Sequence, residues 1–248
     1  MNIAVCVSHV PDTASKIKIS PDELSIDSTG ITCIINPYDE FAVEEALRTR
    51  EKFGGEITVI SVGSDANKET IKKALAMGAD KGLLLKSDTA MDSLSVAKAL
   101  SEEIKSGSYE IVFFGKQSVD FDNSITGQLT ASLLNFNCVS VVIELFIDGN
   151  KIRAEREIEG GREVVETSLP AVITTQKGLN EPRYASLKGI MAAKKKIIEE
   201  KIAVFSGNST KILKLSKPTS KQPGRILGTD GSAVTELVRL LKEEVKVI

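Results

Sequence analysis

The chain has 248 residues, 42% of them apolar and 27% charged, and these globular proportions exclude disorder over most of its length. Thirty-two basic residues face 34 acidic ones, a net charge of -2, so the basic excess of a nucleic-acid-binding protein is absent. No apolar run reaches the ~18 residues of a membrane span, and three cysteines (Cys6, Cys33, Cys138) with one histidine offer no zinc cluster.

In chain order, the first segment is IAVCVS at residues 3–8, a continuous apolar run of strand length. The opening MNIAVCVSHVPD lacks a basic leader and turns polar early, so it reads as a strand and not as a secretory or transit peptide. The thiols read as buried and reduced. A Ser-His-Asp mechanism would have to use His9, and nothing near it resembles a nucleophile elbow.

Asn36-Pro37 opens a helix with Asn at the N-cap and Pro at N1, and Asp39 and Glu40 suit its first turn. Gly54-Gly55 end it. A strand follows at residues 56–62, a helix at 67–77 stopped by Gly78, a short strand at 82–86, and a helix from the cap Asp92 to about Ser106. EIVFFG at 110–115 is another buried strand, and Asn123 is read as the cap of a helix running to about Leu134. Near-continuous apolar strands between amphipathic helices predict a doubly wound α/β domain whose ligand crevice lies at the carboxyl ends of its strands.

The pattern then changes. Residues 139–147 are β-prone, Asp148-Gly149-Asn150 is a hairpin turn, KIRAEREIE alternates, and Gly160-Gly161 turns again into REVVETSLPAVITT. This predicts an antiparallel extension at the sheet edge or a small second sheet. Residues 184–200 suit a short helix, and 206–232 are rich in Ser, Thr, Lys, Pro and Gly. Residues 233–246 look helical again. An irregular stretch of that length inside a compact domain is uncommon, so the tail reads as an arm that runs across another chain. The division expected is a nucleotide-binding unit at 1–205 and an arm at 206–248.

There is no GxGxxG after the first strand and no Walker A lysine motif, and Gly228-Thr229-Asp230-Gly231 lies outside any strand–helix context. The best phosphate site is GKQSVDFDNSITGQLTA from Gly115 onward. A helix starting at Asn123 leaves the N–H groups of Ser124, Ile125 and Thr126 free, the Thr126 hydroxyl adds a donor, and Gly127 keeps that side open. The alternative is an ordinary capped helix with nothing bound. On local grounds Arg156 and Glu157 are outward charges on a strand, and Lys194 to Lys196 form a solvated face. No residue set resembles a catalytic constellation.

Longer motifs carry a resemblance. EREIEGGREVVETSLPAVITTQKGLNEPRYASLKGIMAAKKKII at 155–198 resembles the signature of electron transfer flavoprotein β subunits, with its EGG turn, LPAV strand, LN-PRY and AKKK tail. NPYDEFAVEEAL (36–47), ALAMGADKG (74–82) and GKQSVDFDNSITGQ (115–128) are similar to the family in the same order. The resemblance implies an adenine-nucleotide-hydrolase-like α/β fold and a heterodimer with an α subunit that binds FAD. It further implies AMP held structurally in this chain, acyl-CoA or other flavin dehydrogenases as donors, and a membrane quinone oxidoreductase as acceptor. The compartment implied is the cytoplasm in a bacterium, or the mitochondrial matrix for eukaryotic members.

Carried over by position, the AMP site would use Cys6, Asn36, Pro37, Tyr38, Asp39 and Val62. It would also use Gly115, Lys116, Gln117, Ser118, Val119, Asp120, Phe121, Asp122, Asn123, Ser124, Ile125 and Thr126, with Asp120, Asp122, Asn123 and Thr126 towards ribose and phosphate. A partner-recognition loop falls at about 176–198, with Leu187 as its apolar anchor and Tyr184, Arg183 and Asn180 beside it. Glu157 and Arg156 resemble the charge pair that contacts the mobile FAD domain. Thr13 stands where many housekeeping members carry a tyrosine against the flavin. PDT at 11–13 is similar to electron-bifurcating members, which hold a second FAD in the AMP position, oxidise NADH and split its electrons. TGQ at 126–128 resembles the AMP-type loop. A nucleotide-sensing module of the universal-stress type is a third reading, and it leaves everything after Ile147 without explanation.

Overall fold

The computed structural model describes residues 1–220 and 223–248; Lys221 and Gln222, within the stretch read as irregular, lie outside the described residues. The strands are β1 (Asn2–Cys6), β2 (His9–Pro11), β3 (Cys33–Ile35), β4 (Glu56–Gly63), β5 (Lys81–Lys86) and β6 (Ile111–Gly115). After them come β7 (Asn137–Asp148), β8 (Lys151–Ile158), β9 (Gly161–Ser168), β10 (Ala171–Thr175) and β11 (Ile198–Ile202). The helices are α1 (Pro37–Phe53), α2 (Asn67–Met77), α3 (Ser93–Ser106), α4 (Thr126–Leu134), α5 (Leu187–Ala193) and α6 (Val234–Leu240).

Among the described residues, nine strands form one sheet in the order β11-β5-β4-β1-β6-β10-β7-β8-β9. It is parallel from β11 to β7 and antiparallel through β8 and β9. The central strands are buried on both faces, which is why they read as unbroken apolar runs. On one face Ile3, Val5, Ile57, Val59, Ile111 and Phe113 pack with α1 and α2; on the other Ala4, Cys6, Ile60, Leu83, Leu85 and Phe114 pack with α3 and α4. The doubly wound α/β expectation is met, and the hairpins extend the same sheet instead of forming a second one.

Chain order reverses beside β1: β4 and β5 lie to one side of it, β6 to the other. The carboxyl ends of β1 and β6 therefore diverge into a crevice at a topological switch point.

Several local expectations change, beginning with the thiols: Cys6 is buried, but Cys33 and Cys138 are exposed. The run REVVETSLPAVITT is two strands, because Pro170 lacks a backbone donor and separates β9 from β10. The chain then re-enters the sheet, and β10 inserts between β6 and β7. The helix expected over 184–200 is only α5, capped by Ser186, whose hydroxyl accepts from the Gly189 N–H at 3.0 Å. β11 follows it and pairs with β5; its exposed charges, Glu199, Glu200 and Lys201, mask it in the sequence. The antiparallel pair β2-β3 was not expected either. The terminal helix narrows to α6 with a π-helical turn at Leu241–Val245. Its Val234, Leu237 and Val238 lie 55%, 46% and 47% exposed, an apolar side only partly covered among the described residues.

Candidate nucleotide cleft and docking loop

The crevice opens into a cavity of about 1180 Å³. Cys6, Val7 and Ser8 leave β1 along its floor, Ile60, Val62 and Gly63 come from β4, and Phe114 to Ser118 from the end of β6. Residues 123–127 and 87–93 form adjoining parts of its wall, joined by the hydrogen bond of Asn123 to Ser93. Residues 208–212, the root of the arm, cross the mouth.

Asp39 holds the switch point together. Its carboxylate accepts from the Ser8 N–H at 2.7 Å and the Gly115 N–H at 3.0 Å, so one side chain of α1 bridges the ends of β1 and β6. Burial raises its pKa to about 7; donation from Asn36, Ser8 and Gly115 opposes that shift, and Asp120 adds to it. Burial first, then the Asp39 charge, pushes the Cys6 thiol well up, so Cys6 is a small apolar group and not a nucleophile. His9 reaches the lining and shares a 2.7 Å hydrogen bond with Thr70; burial lowers its pKa against the opposing pull of Glu69.

Asn36 stands at the N-cap position, but its side chain does not cap α1. Its Nδ2 donates to the Gln117 carbonyl at 2.8 Å and its Oδ1 accepts from the Val119 N–H at 3.2 Å, so it braces the loop after β6. Asn36, Pro37, Tyr38, Val119 and Asp122 thus lie behind the cavity lining, whereas Cys6, Asp39, Val62, Gly115, Lys116, Gln117, Ser118, Asp120, Phe121, Asn123, Ser124, Ile125 and Thr126 are part of it. The Tyr38 carbonyl accepts from the Thr175 hydroxyl at 3.2 Å, and the Lys116 ammonium sits 5.0 Å from the centre of the Tyr38 ring.

The helix after this loop begins at Thr126, not Asn123. Asp122 and Ser124 take positive φ values of 57° and 50°, which no helical turn accommodates. Asn123 instead donates to the Ser93 hydroxyl at 3.0 Å, and Gln117 ties the turn by donating to Asp122 at 2.5 Å and accepting from Ser124 at 2.8 Å. The N–H groups without intrahelical partners are therefore those of Thr126, Gly127 and Gln128. Gly127 answers to a different neighbour than expected: a Cβ there would meet Thr174 Cγ2 at 2.7 Å, so the glycine lets α4 pack against β10. A volume above that of common ligand pockets, polar loops in its wall and a helix N-terminus suit an adenine nucleotide.

The wall at 87–93 and the arm root were not foreseen as parts of the site. Asp92 caps α3 by accepting from the Ser95 N–H at 2.8 Å. It also accepts from the Ser209 N–H at 2.7 Å, the Thr210 N–H at 2.9 Å and the Thr210 hydroxyl at 3.1 Å. Burial pushes its pKa up, but these donors outweigh that and hold it well below the carboxylate range. The cap was legible locally; its second set of partners lies more than a hundred residues along the chain.

Away from the cleft, the segment between β10 and β11 runs over α1 and α2. Tyr184 is 99% exposed and Leu187 83%. Asn180 and Arg183, read from the sequence as docking contacts, turn inward. Asn180 donates to the Phe41 carbonyl at 3.0 Å and to Glu45 at 2.9 Å, while Arg183 forks onto Glu44 at 2.7 and 2.9 Å and reaches Glu51 at 2.6 Å. Lys196 leaves the solvated face expected for its run and donates to the Leu75 and Ala79 carbonyls at the end of α2. On the hairpin extension Arg156 faces Glu163 across β9 at 3.3 Å, and Glu157 accepts from Gln176 at 3.0 Å beside a hollow of about 760 Å³. Thr13 is exposed in the loop after β2 and does not line the cleft.

The electron transfer flavoprotein domain matches residues 23–204, from before α1 to the end of β11. The chain belongs to the electron transfer flavoprotein family. It is 41% identical over 249 residues to the electron transfer flavoprotein subunit beta of Syntrophomonas wolfei, covering 100% of this chain and 98% of that one. Against the subunit beta of Bacillus subtilis it is 36% identical with full coverage of both chains. The Mus musculus protein of that name is 38% identical over 96% of each chain. An electron transfer flavoprotein domain ending at 204 leaves the arm root outside the match, although that root walls the cleft. Among the described residues no group of His, Cys, Asp and Glu could hold a metal ion, and no helix is long and apolar enough to cross a membrane.

Proposed function

We propose that this chain is the β subunit of a heterodimeric electron transfer flavoprotein. It holds AMP as a structural group and docks flavin dehydrogenases, so that FAD on the α subunit carries electrons from them to a membrane quinone oxidoreductase. It is a carrier subunit and not itself a catalyst, and in a bacterial cell it works in the cytoplasm. The observation that carries the reading is the cleft at the switch point. Its wall includes the start of α4, where the N–H groups of Thr126 and Gly127 lack intrahelical partners and offer a cradle for one phosphate, with Thr126 at the lining.

Pairing is supported by the arm. The apolar side of α6 is only partly covered among the described residues, and residues 206–232 contain too few apolar groups to bury a core of their own. Removing residues 233–248 should weaken co-purification with the α subunit; unchanged recovery of the pair would count against the arm as the docking element. Docking of dehydrogenases is supported by the exposed Tyr184 and Leu187 on a segment of fixed course.

A second reading has an observation of its own. A volume of about 1180 Å³ is large for a mononucleotide, and PDT at 11–13 resembles bifurcating members. There a second FAD would take the AMP position, with NADH as donor. Denaturing the purified heterodimer and separating the released nucleotides decides between the two. About one AMP and one FAD per heterodimer is the expected result. Two FAD and no AMP, with NADH oxidation, would replace the carrier reading by the bifurcating one.

A further inference from the structure

The segment from Gln176 to Ile197 contains one short helix, yet its course is tied down at widely spaced points. Near its start, Asn180 is 8% exposed and donates to the Phe41 carbonyl and to Glu45. Next, Arg183 Nε and Nη2 donate to the two oxygens of Glu44 at 2.7 and 2.9 Å, its Nη1 donates to Glu51 at 2.6 Å, and its backbone N–H donates to Glu44 at 3.2 Å. At the far end the Lys196 ammonium satisfies the Leu75 and Ala79 carbonyls, which terminate α2. Between them α5 lies on α2 at backbone distance: a Cβ on Gly189 would meet the Ala76 carbonyl oxygen at 2.3 Å.

The two most exposed large side chains of the segment sit immediately beyond the arginine. Tyr184 is 99% exposed and Leu187 83%. An apolar side chain held out in water makes no contact that would fix its own position, so its backbone must be held by its neighbours. We propose that Arg183 is a positioning residue: clamped on Glu44 and Glu51 of α1, it presents Tyr184 and Leu187 as a preformed docking edge for a dehydrogenase, without touching that partner itself. This rests on the docking role proposed above for the same segment.

The chemistry suits that task. Glu44 is 2% exposed and rigid within α1, where Arg48 also donates to it at 2.9 Å. A guanidinium forked on a fixed carboxylate restrains direction as well as distance, which an ammonium cannot do. Arg183 is also spent: its Nε and both terminal nitrogens already donate within the chain, which leaves it poorly placed to recognise a partner. Ordering a loop in advance removes a cost that binding would otherwise bear, so loss of the clamp should weaken docking while leaving the transfer step alone.

Two measurements on the purified heterodimer test this. The first needs no partner. The Gly189 and Ile190 amides bond to Ser186 at 3.0 and 2.9 Å, and their hydrogen exchange reports the order of the segment. Arg183→Gln should speed their exchange at least ~10-fold while amides of β1 and β6 stay protected. Wild-type exchange there would overturn the clamp.

The second measures electron transfer from an acyl-CoA dehydrogenase of the same organism. Arg183→Gln should raise the KM for the heterodimer by ~5- to 10-fold at unchanged kcat, FAD content and nucleotide content, and Arg183→Lys should recover only part of the loss. In a background carrying both Tyr184→Ala and Leu187→Ala the Arg183→Gln effect should vanish, because neither side chain of the edge remains to be positioned. Additive effects would mean that Arg183 contacts the partner directly and would overturn the proposal. If Leu187→Ala leaves KM unchanged, the docking role itself fails, whatever the exchange of Gly189 and Ile190 shows.

Discussion

The cleft and the segment proposed to dock dehydrogenases are both built on α1, by opposite means. Its first turn supplies Asp39, a buried carboxylate that accepts backbone N–H groups from two strand ends. Its middle turns supply Glu44, Glu45 and Glu51, which hold a surface loop through side-chain donors. Asp39 is buried where the strand ends meet, so the main force on it is burial. The loop lies in water on one side, and the charge pairs of Arg183 with Glu44 and Glu51 are partly screened by solvent. One helix thus carries two carboxylates that burial pushes towards the neutral acid, Asp39 and Glu45, and two that Arg183 holds ionised, Glu44 and Glu51.

Asp39→Ala is expected to have the largest effect. It leaves the Ser8 and Gly115 N–H groups unsatisfied at the centre of the sheet and should cost about 3 kcal/mol or more. The melting temperature of the heterodimer should drop, and bound nucleotide should be lost with it. An unchanged melting temperature would mean that the strand ends do not depend on this bridge. Titration separates Asp39 from Glu44 by sign. Asp39 is raised to about 7 from an ordinary 3.8, so the folded chain binds its proton more tightly than the unfolded chain. Its contribution is fully present below about 3.8 and declines as pH rises towards 7, with a slope of at most about 1.4 kcal/mol per pH unit. Asp39→Asn should flatten stability across that window; a wild-type profile would move the titration elsewhere.

Leu187→Ala comes next. One aliphatic anchor seated in a partner pocket contributes about 2 kcal/mol, so electron transfer from the dehydrogenase should slow while the melting temperature holds. Glu44→Gln should cost about 1–2 kcal/mol, a charge-assisted fork discounted because Arg183 is part-exposed. Its pH dependence runs opposite to that of Asp39. Burial pushes Glu44 up, but donation from Arg183 and Arg48 outweighs it, so its pKa falls below the ordinary 4.5. Its contribution is present above 4.5 and disappears as pH drops through the lowered value, and an acid melt of Glu44→Gln should lack that loss. The smallest effect belongs to Glu157→Ala on the hairpin extension. It removes an exposed contact with Gln176 and should leave the melting temperature unchanged while shifting spin-label distances between the two subunits. Identical distance distributions would leave Glu157 an ordinary surface carboxylate.

The elements legible in the sequence were those with local signals. Apolar runs marked β1, β4, β5 and β6, and Pro37, Gly78 and Asp92 marked the bounds of α1, α2 and α3. What escaped depended on distant partners. Asn36 looked like a cap, but its side chain is used on Gln117 and Val119, eighty residues later. Asn123 looked like another, but positive φ at Asp122 and Ser124 delays α4 to Thr126. β11 hides because an exposed edge strand keeps its charges. Arg183 and Asn180 were legible as members of a family motif, and their inward direction follows only from where α1 passes beneath them. The cleft was legible on the walls built by strand ends, not on the wall built by the arm root.

Asp92 has a consequence for how the molecule bears load. The same carboxylate closes the first turn of α3 and grips Ser209 and Thr210, and the Asp92 N–H donates to Asn208 at 2.8 Å. These residues are at once the anchorage of the arm and the rim of the cavity. A pull on the distal arm meets the Leu215 and Lys214 contacts with Glu23 first and this anchorage next. Detaching the arm at its root uncovers the cavity mouth and strips Asp92 of three of its donors in a single event. The hold on the arm and the rim of the cleft share one mechanical fastening.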